Sequence, residues 1–254
     1  MENMKVNSKK LKDDIVSFIR DYYTTNNVKG AVLGVSGGKD SAVALALMVE
    51  AIGKENVVGV SMPCHSVVED KSLADRLCEY YGVEIYNVDL TEPFDSIESA
   101  VKCGFGDNNS YIKDSSINLK PRLRMSTLYY VAAMLSKKRG GLYLVVGTSN
   151  KCELYVGYFT KGGDSVYDIA PLCDLTVEEV IAVGEELGVP GEVLYRVPSD
   201  GLSGMSDEEK LGVKYSDIAK VINGEEVDID IANKIDRLHR CASHKFVNNY
   251  FRKK

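Results

Sequence analysis

The 254-residue chain has no tryptophan, six prolines and only three histidines. Those histidines, at positions 65, 239 and 244, are too scattered to suggest a zinc site. The six cysteines (Cys64, Cys78, Cys103, Cys152, Cys173, Cys241) form no C-x-x-C pair. That spacing excludes a zinc ribbon or a dithiol redox motif and leads us to expect reduced thiols in the cytoplasm. A basic excess is also missing: 31 Lys and Arg stand against 37 Asp and Glu, a net charge of −6. Broad nucleic-acid binding needs the opposite balance, so no nucleic-acid partner is expected. No apolar run is long enough to span a bilayer, and none follows the lysine-rich start (Lys5, Lys9, Lys10, Lys12). Neither a signal peptide nor a membrane partner is therefore expected. Internal repeats, low-complexity segments and obvious linkers are absent too, which points to a single domain over residues 1–254.

What the chain does have is concentrated at one turn. An apolar run (Ala31, Val32, Leu33, Val35) reads as a buried strand, and Ala42 to Met48 reads as an apolar helix. Between them stands Gly34-Val35-Ser36-Gly37-Gly38-Lys39-Asp40-Ser41. Strand, glycine turn and helix in that order bring several backbone N–H groups and a positive helix end around one small volume, which suits a phosphate. Gly37 and Gly38 allow backbone angles and close approach that a Cβ would block. Ser36 and Ser41 offer hydroxyls, and Asp40 offers a carboxylate to a magnesium ion on the phosphates. The spacing is neither Walker A nor the dinucleotide G-x-G-x-x-G.

The flanking sequence repeats the same alternation. A helix is expected over Lys9–Tyr23, with Tyr22 and Tyr23 as core aromatics at its end. Strands are expected near 56–62, 83–88 and 142–146, with helices at 67–81 and from Pro121 to the Gly140-Gly141 pair. Asp89-Leu-Thr-Glu opens a further helix to about Val101, with Thr91 as its N-cap, and Cys103–Asn118 reads as a surface loop. Thr176 with Glu179 forms a capping box for a helix through Leu187. The glycine-rich segment 157–168 and the stretch 198–212 read as mobile loops. Short helices over Tyr215–Ile222 and Ile229–His239 precede a basic tail with His244 and Lys245. Short β-branched runs alternating with helices indicate a doubly wound α/β fold, its mostly parallel sheet flanked by helices. Ligands in such sheets bind beyond the carboxyl ends of the strands. The first and fourth strands would therefore deliver residues 36–41 and 148–153 to one rim.

The S-G-G-x-D-S turn resembles the phosphate loop of the ATP pyrophosphatase superfamily, whose fold is that of the adenine nucleotide alpha hydrolases. Further pieces narrow the resemblance: Arg122-Leu-Arg-Met, Gly147-Thr-Ser-Asn-Lys-Cys-Glu153, Gly157-Tyr-Phe-Thr-Lys161 with Asp164 and Asp168, Pro198-Ser199, the Asp207-Glu-Glu-Lys-Leu-Gly run, and Ser243-His244-Lys245. Over nearly its whole length the chain is similar to the ammonia-dependent NAD+ synthetases. That resemblance implies amidation of deamido-NAD+ with ammonia at the expense of ATP, through an acyl-adenylate, giving NAD+, AMP and pyrophosphate. It also implies ATP as co-substrate, Mg2+ as cofactor, a homodimer, and no glutaminase domain.

Carried over residue by residue, the resemblance assigns Gly34 to Ser41, Thr148 and Ser199 to ATP. Asp40 and Glu153 go to magnesium. Arg122, Lys161, Asp168, His244 and Lys245 go to deamido-NAD+, with Tyr22 and Tyr158 stacking on it. One departure stands out. Many family members place a lysine that reaches the ATP phosphates where this chain has Val177. The expectation is that a nearby cation such as Lys161 or Lys151 compensates, or that ATP binds more weakly. The alternatives are another ATP pyrophosphatase, such as GMP synthetase-like amination or tRNA modification, and a non-catalytic adenine-nucleotide-binding module.

Overall fold

The computed structural model describes residues 7–65, 68–105, 116–196 and 206–246. Helix α1 (Ser8–Thr25) leads into β1 (Val28–Gly34), α2 (Lys39–Ile52), β2 (Val57–Ser61), α3 (Val68–Tyr81) and β3 (Glu84–Asn87). Helices α4 (Thr91–Phe105) and α5 (Leu119–Arg139) then precede β4 (Leu142–Val145). After the strands come α6 (Lys151–Val156), α7 (Val177–Glu186), α8 (Gly191–Leu194), α9 (Asp207–Leu211), α10 (Tyr215–Ile222) and α11 (Ile229–Phe246).

The four strands form one sheet in the order β3-β2-β1-β4, every neighbour parallel. The chain builds outward from β1 to β3 and then returns to place β4 on the other side of β1. The order therefore reverses between β1 and β4, and the crevice for a ligand opens at such a reversal. Alternate residues serve opposite faces, as a two-residue period requires. Ala31, Leu33, Leu144 and Val146 join the core under α1, α2 and α7. Val32, Val58, Val60, Tyr143 and Val145 join the core under α4 and α5. A third, smaller cluster links α6, α9, α10 and α11 through Cys152, Leu211, Tyr215, Ile218 and Ile235.

Several boundaries differ from those expected. Thr91 is inside the first turn of α4 rather than its cap, because the Asp89 carboxylate accepts the Thr91 N–H at 2.9 Å. The same helix continues through Cys103 to Phe105, absorbing the start of the expected loop. Part of the stretch 198–212 is helical: Ser206 caps α9, and the Glu209 side chain returns the bond in a capping box. His244 and Lys245 lie in the last turn of α11, not in a tail. The segment 157–168 is a chain of turns fastened to its surroundings. Thr160 Oγ1 donates to Asn118 Oδ1 at 2.7 Å, and the Asp168 N–H donates to the Val145 carbonyl at 2.9 Å. No described helix is long and apolar enough to cross a membrane.

Candidate functional site

The turn after β1 is shaped by its glycines and closed by its serines. Gly37 holds φ at +77°, where a side chain would strain the backbone. Ser36 Oγ and Ser41 Oγ lie 3.1 Å apart, the Gly38 N–H donates to Ser36 Oγ at 3.3 Å, and Ser41 Oγ donates to the Gly38 carbonyl at 2.9 Å. Helix α2 begins directly after Gly38, which supplies no side-chain cap. Its first backbone N–H groups, with the positive end of the helix dipole, remain available for an anion.

The opposite wall comes from the chain after β4. Asn150 caps α6 with a complete capping box: its Oδ1 accepts the Glu153 N–H at 3.0 Å, and Glu153 Oε2 accepts the Asn150 N–H at 3.1 Å. Asn150 is fully buried, and its Nδ2 donates to Asp40 Oδ1 at 3.2 Å. One side chain thus ties the two loops together. The other Asp40 oxygen accepts from Lys39 Nζ at 2.9 Å. Burial would push the Lys39 ammonium down, but the Asp40 carboxylate beside it wins and holds its pKa above the usual lysine value. Burial, and then the nearby Asp40 charge, holds the Glu153 carboxyl well above the usual carboxylate range.

These walls enclose a cavity of about 430 Å³ beyond the carboxyl ends of β1, β2 and β4. Of the residues expected at an ATP and metal site, Gly34, Val35, Ser36, Gly38, Lys39, Asp40, Ser41, Thr148 and Glu153 line it. Gly37 sits in the turn without lining the cavity, and Ser199 lies outside the described residues. The residues expected to contact the acceptor do not line the cavity. Arg122 donates through Nε and Nη2 to the Lys161 carbonyl at 3.3 and 3.2 Å. Asp168 accepts from the Tyr129 hydroxyl at 3.2 Å and from the Val145 N–H at 2.8 Å. Lys161 Nζ donates to the His244 carbonyl, and Lys245 Nζ to the carbonyls of Gly157 and Phe159. Tyr22 stands on α1 beside Phe18, more than a third exposed. Tyr158 reaches the cavity's edge indirectly, its hydroxyl donating to Asp207 Oδ1 at 3.0 Å.

Sequence reasoning missed Asn150, Arg124, Asp164, Arg196 and Asp207 as parts of this site. Arg124 was the most accessible of these. It lies two positions from Arg122 on a helix, and residues so spaced do not share a face. Arg124 lines the cavity, with its Nε on the Met62 carbonyl at 3.3 Å. Arg196 stands before a stretch with no periodic pattern, so nothing in the sequence placed it here, while Asp207 opens the Asp-Glu-Glu-Lys-Leu-Gly run, which carried the resemblance but no role for that carboxylate.

The carboxylates Asp40 and Glu153 suit a small hard cation. Magnesium takes one or two carboxylates and completes its octahedron with phosphate oxygens and water. Among the described residues no group of three or more metal-binding side chains exists, so the protein offers a partial shell of the kind a nucleotide would complete.

Three comparisons bear on this geometry. The family model described as NAD synthase matches residues 11–250. The NH(3)-dependent NAD(+) synthetase of Carboxydothermus hydrogenoformans is 36% identical over 243 residues, covering 95% of this chain and 96% of its own. Among solved structures, an NMN synthetase from Francisella tularensis is 30% identical with a TM-score of 0.87, covering 98% of this chain and all of that one. The NH3-dependent NAD synthetase of Campylobacter jejuni is 26% identical with a TM-score of 0.75 and the same coverage. With a family model spanning residues 11–250 and a curated relative covering 95% of it, the chain belongs to the NAD synthase family.

Proposed function

We propose that the turn at residues 34–41 holds the phosphate tail of ATP while the enzyme amidates a nicotinate carboxylate with ammonia. The protein is an ATP-dependent, ammonia-using NAD+ synthetase that converts deamido-NAD+ to NAD+. The observation that carries this reading is the convergence of the glycine turn, the free start of α2, and the Asp40–Glu153 pair on one cavity at the sheet's reversal point.

In the proposed reaction a carboxylate oxygen of the acceptor attacks the ATP α-phosphorus. The bond to the β-phosphate bridging oxygen breaks and pyrophosphate leaves. Ammonia then attacks the carbonyl of the acyl-adenylate, the C–O bond to AMP breaks, and the nitrogen loses a proton. Little covalent work falls to the protein; it aligns the reactants and neutralises charge. Ser36, Ser41 and the first N–H groups of α2 hold phosphate oxygens, Thr148 faces them across the crevice, and Arg124 and Arg196 supply positive charge. Asp40 and Glu153 would hold Mg2+, which when bound withdraws charge from the phosphates.

Of the residues assigned to the dinucleotide, Tyr22 stands on α1 beside Phe18, whereas Arg122, Lys161, Asp168, His244, Lys245 and Tyr158 lie outside the cavity, around α5 and the turns that follow α6. That position fits an acceptor lying along the outer rim, with a second copy of the chain completing its site as a homodimer. The exposed Ile97, Val101 and Phe105 on α4 and Tyr130 and Met134 on α5 supply an apolar face for such a partner.

A second reading concerns only the acceptor. The structural likeness to an NMN synthetase is stronger than that to the NAD synthetase above, with TM-scores of 0.87 and 0.75. It favours testing the mononucleotide carboxylate alongside the dinucleotide. Purified protein with ATP, Mg2+ and ammonium should form AMP and NAD+ in equal amounts from deamido-NAD+, and only when ammonium is present. A larger kcat/KM for nicotinate mononucleotide would move the acceptor to the second reading. AMP formation with xanthosine monophosphate or tRNA alone would sink both.

A further inference from the structure

Among the described residues two buried hydroxyls have no hydrogen-bond partner, those of Tyr23 and Tyr215. Their surroundings differ. Tyr23 stands on α1 within the first apolar cluster. Tyr215 opens α10 and packs in the third cluster with Cys152, the neighbour of Glu153. It is only 4% exposed, and Lys39 Nζ lies 5.8 Å from the centre of its ring. Burial, and then the charges of Glu153, Asp207 and Asp40, push its phenol well above the usual tyrosine value, so the proton stays on the oxygen. The hydroxyl thus stands in the field of three carboxylates and donates to none of them.

Those carboxylates are fastened by other donors. Asp40 takes Asn150 Nδ2 on Oδ1 and Lys39 Nζ on Oδ2, Glu153 takes the Asn150 N–H on Oε2, and Asp207 takes the Tyr158 hydroxyl on Oδ1. Tyr215 is fastened too, its N–H donating to Glu208 Oε1 at 2.8 Å. A buried hydroxyl left unpaired destabilises the fold, and a phenylalanine would fill the same space without that penalty. Stability therefore does not explain the oxygen. The chemistry of the neighbouring carboxylates does. Magnesium held by one or two carboxylates keeps several waters, and groups that hydrogen-bond to such a shell set its geometry.

We propose that the Tyr215 hydroxyl is a positioning group for the metal of Asp40 and Glu153, hydrogen-bonded to a water that the cation carries. The inference rests on the reading that those two carboxylates hold the metal. A hydroxyl is donor and acceptor at once, so it can accept from that water and donate its own hydrogen to a nearby carboxylate.

Tyr215→Phe keeps the ring, its packing and the ammonium over it, and removes the oxygen alone. Two effects of opposite sign should follow. The variant should unfold at a higher urea concentration than wild type, because the unpaired hydroxyl is gone. It should also bind Mn2+ about tenfold more weakly, in titrations without nucleotide followed by electron paramagnetic resonance. Tyr23→Phe is the control, with a similar gain in stability and unchanged Mn2+ affinity. Wild-type Mn2+ affinity in folded Tyr215→Phe overturns the proposal, as do equal losses in both variants or a Tyr215→Phe less stable than wild type. Asp40→Asn separates this role from the reading beneath it. Mn2+ binding lost there but kept in Tyr215→Phe removes the role of Tyr215 alone, whereas unchanged binding in Asp40→Asn removes the metal site as well. The unaltered protein supplies a check that no misfolded variant can spoil. With tyrosine carrying an NMR-active carbon at Cζ, the signal that Mn2+ broadens most should also shift when Mg2+ is added. A signal broadened by Mn2+ but unmoved by Mg2+ overturns the proposal.

Discussion

Asn150 is the residue on which the site's geometry turns. One amide caps α6 with its oxygen and holds Asp40 with its nitrogen, from full burial. Replacing it with alanine removes a cap, at a typical cost of about 1 kcal/mol, and leaves a carboxylate oxygen of Asp40 without its donor. We expect Asn150→Ala to lower stability by about 1–2 kcal/mol in urea unfolding and to cut kcat at least tenfold. Asn150→Asp keeps an oxygen for the cap but sets a charge against Asp40. It should therefore lose activity while α6 remains capped, with a stability deficit against wild type that grows from pH 4 to pH 7 as the new carboxyl ionises beside Asp40. Half of this was legible in the sequence. The N-x-x-E spacing at 150–153 is a capping box in plain view, whereas the bond to Asp40 spans 110 positions and exists only once β1 and β4 lie side by side.

At the scale of elements, the same limit explains which boundaries were misread. Strands β1, β2 and β4 announced themselves by short apolar runs, because a buried parallel strand needs little else, and the edge strand β3 by Val83, Ile85 and Val88 around it. Helix ends depended on single side chains: Asp89 rather than Thr91 satisfies the start of α4, and α11 runs on to Phe246. Its charged last turn reads as a tail until one sees what it packs on. Lys245 Nζ bonds the carbonyls of Gly157 and Phe159, and Gly157 lies against Ala242. A Cβ on Gly157 would come within 2.1 Å of the Ala242 Cβ, and its φ of +69° already disfavours any side chain. Gly157→Ala should therefore detach the end of α11 and cost about 2–4 kcal/mol, combining left-handed strain with overpacking. A double-mutant cycle separates the two parts. Adding Ala242→Gly should restore the clash component and leave about 1–2 kcal/mol of backbone strain. Full recovery would show that strain contributes nothing here.

For the molecule as a whole, the strand order places the crevice, and the apolar surface argues for a partner. Ile97, Val101 and Phe105 recur every four residues along α4, and Tyr130 and Met134 do the same on the neighbouring α5, so each set forms one exposed stripe. Phe105 is 84% exposed and Tyr130 73%, unusual for aromatics on the surface of a lone domain. A two-fold dimer would bury both stripes against their own copies. It would also bring a second chain to the rim where Arg122 and Asp168 sit, on and beside α5. Light scattering on the purified protein should give twice the chain mass of 27.9 kDa. Tyr130→Glu combined with Met134→Glu puts two charges into the stripe, and a desolvated unpaired charge costs several kcal/mol. The variant should run at the mass of one chain. If the acceptor site is shared between copies, its KM for deamido-NAD+ should rise about tenfold or more, while the affinity of the intact cavity for ATP changes little. A variant that stays dimeric would remove this face from the interface. A monomeric variant with unaltered KM for the acceptor would keep the dimer and return the whole acceptor site to a single chain.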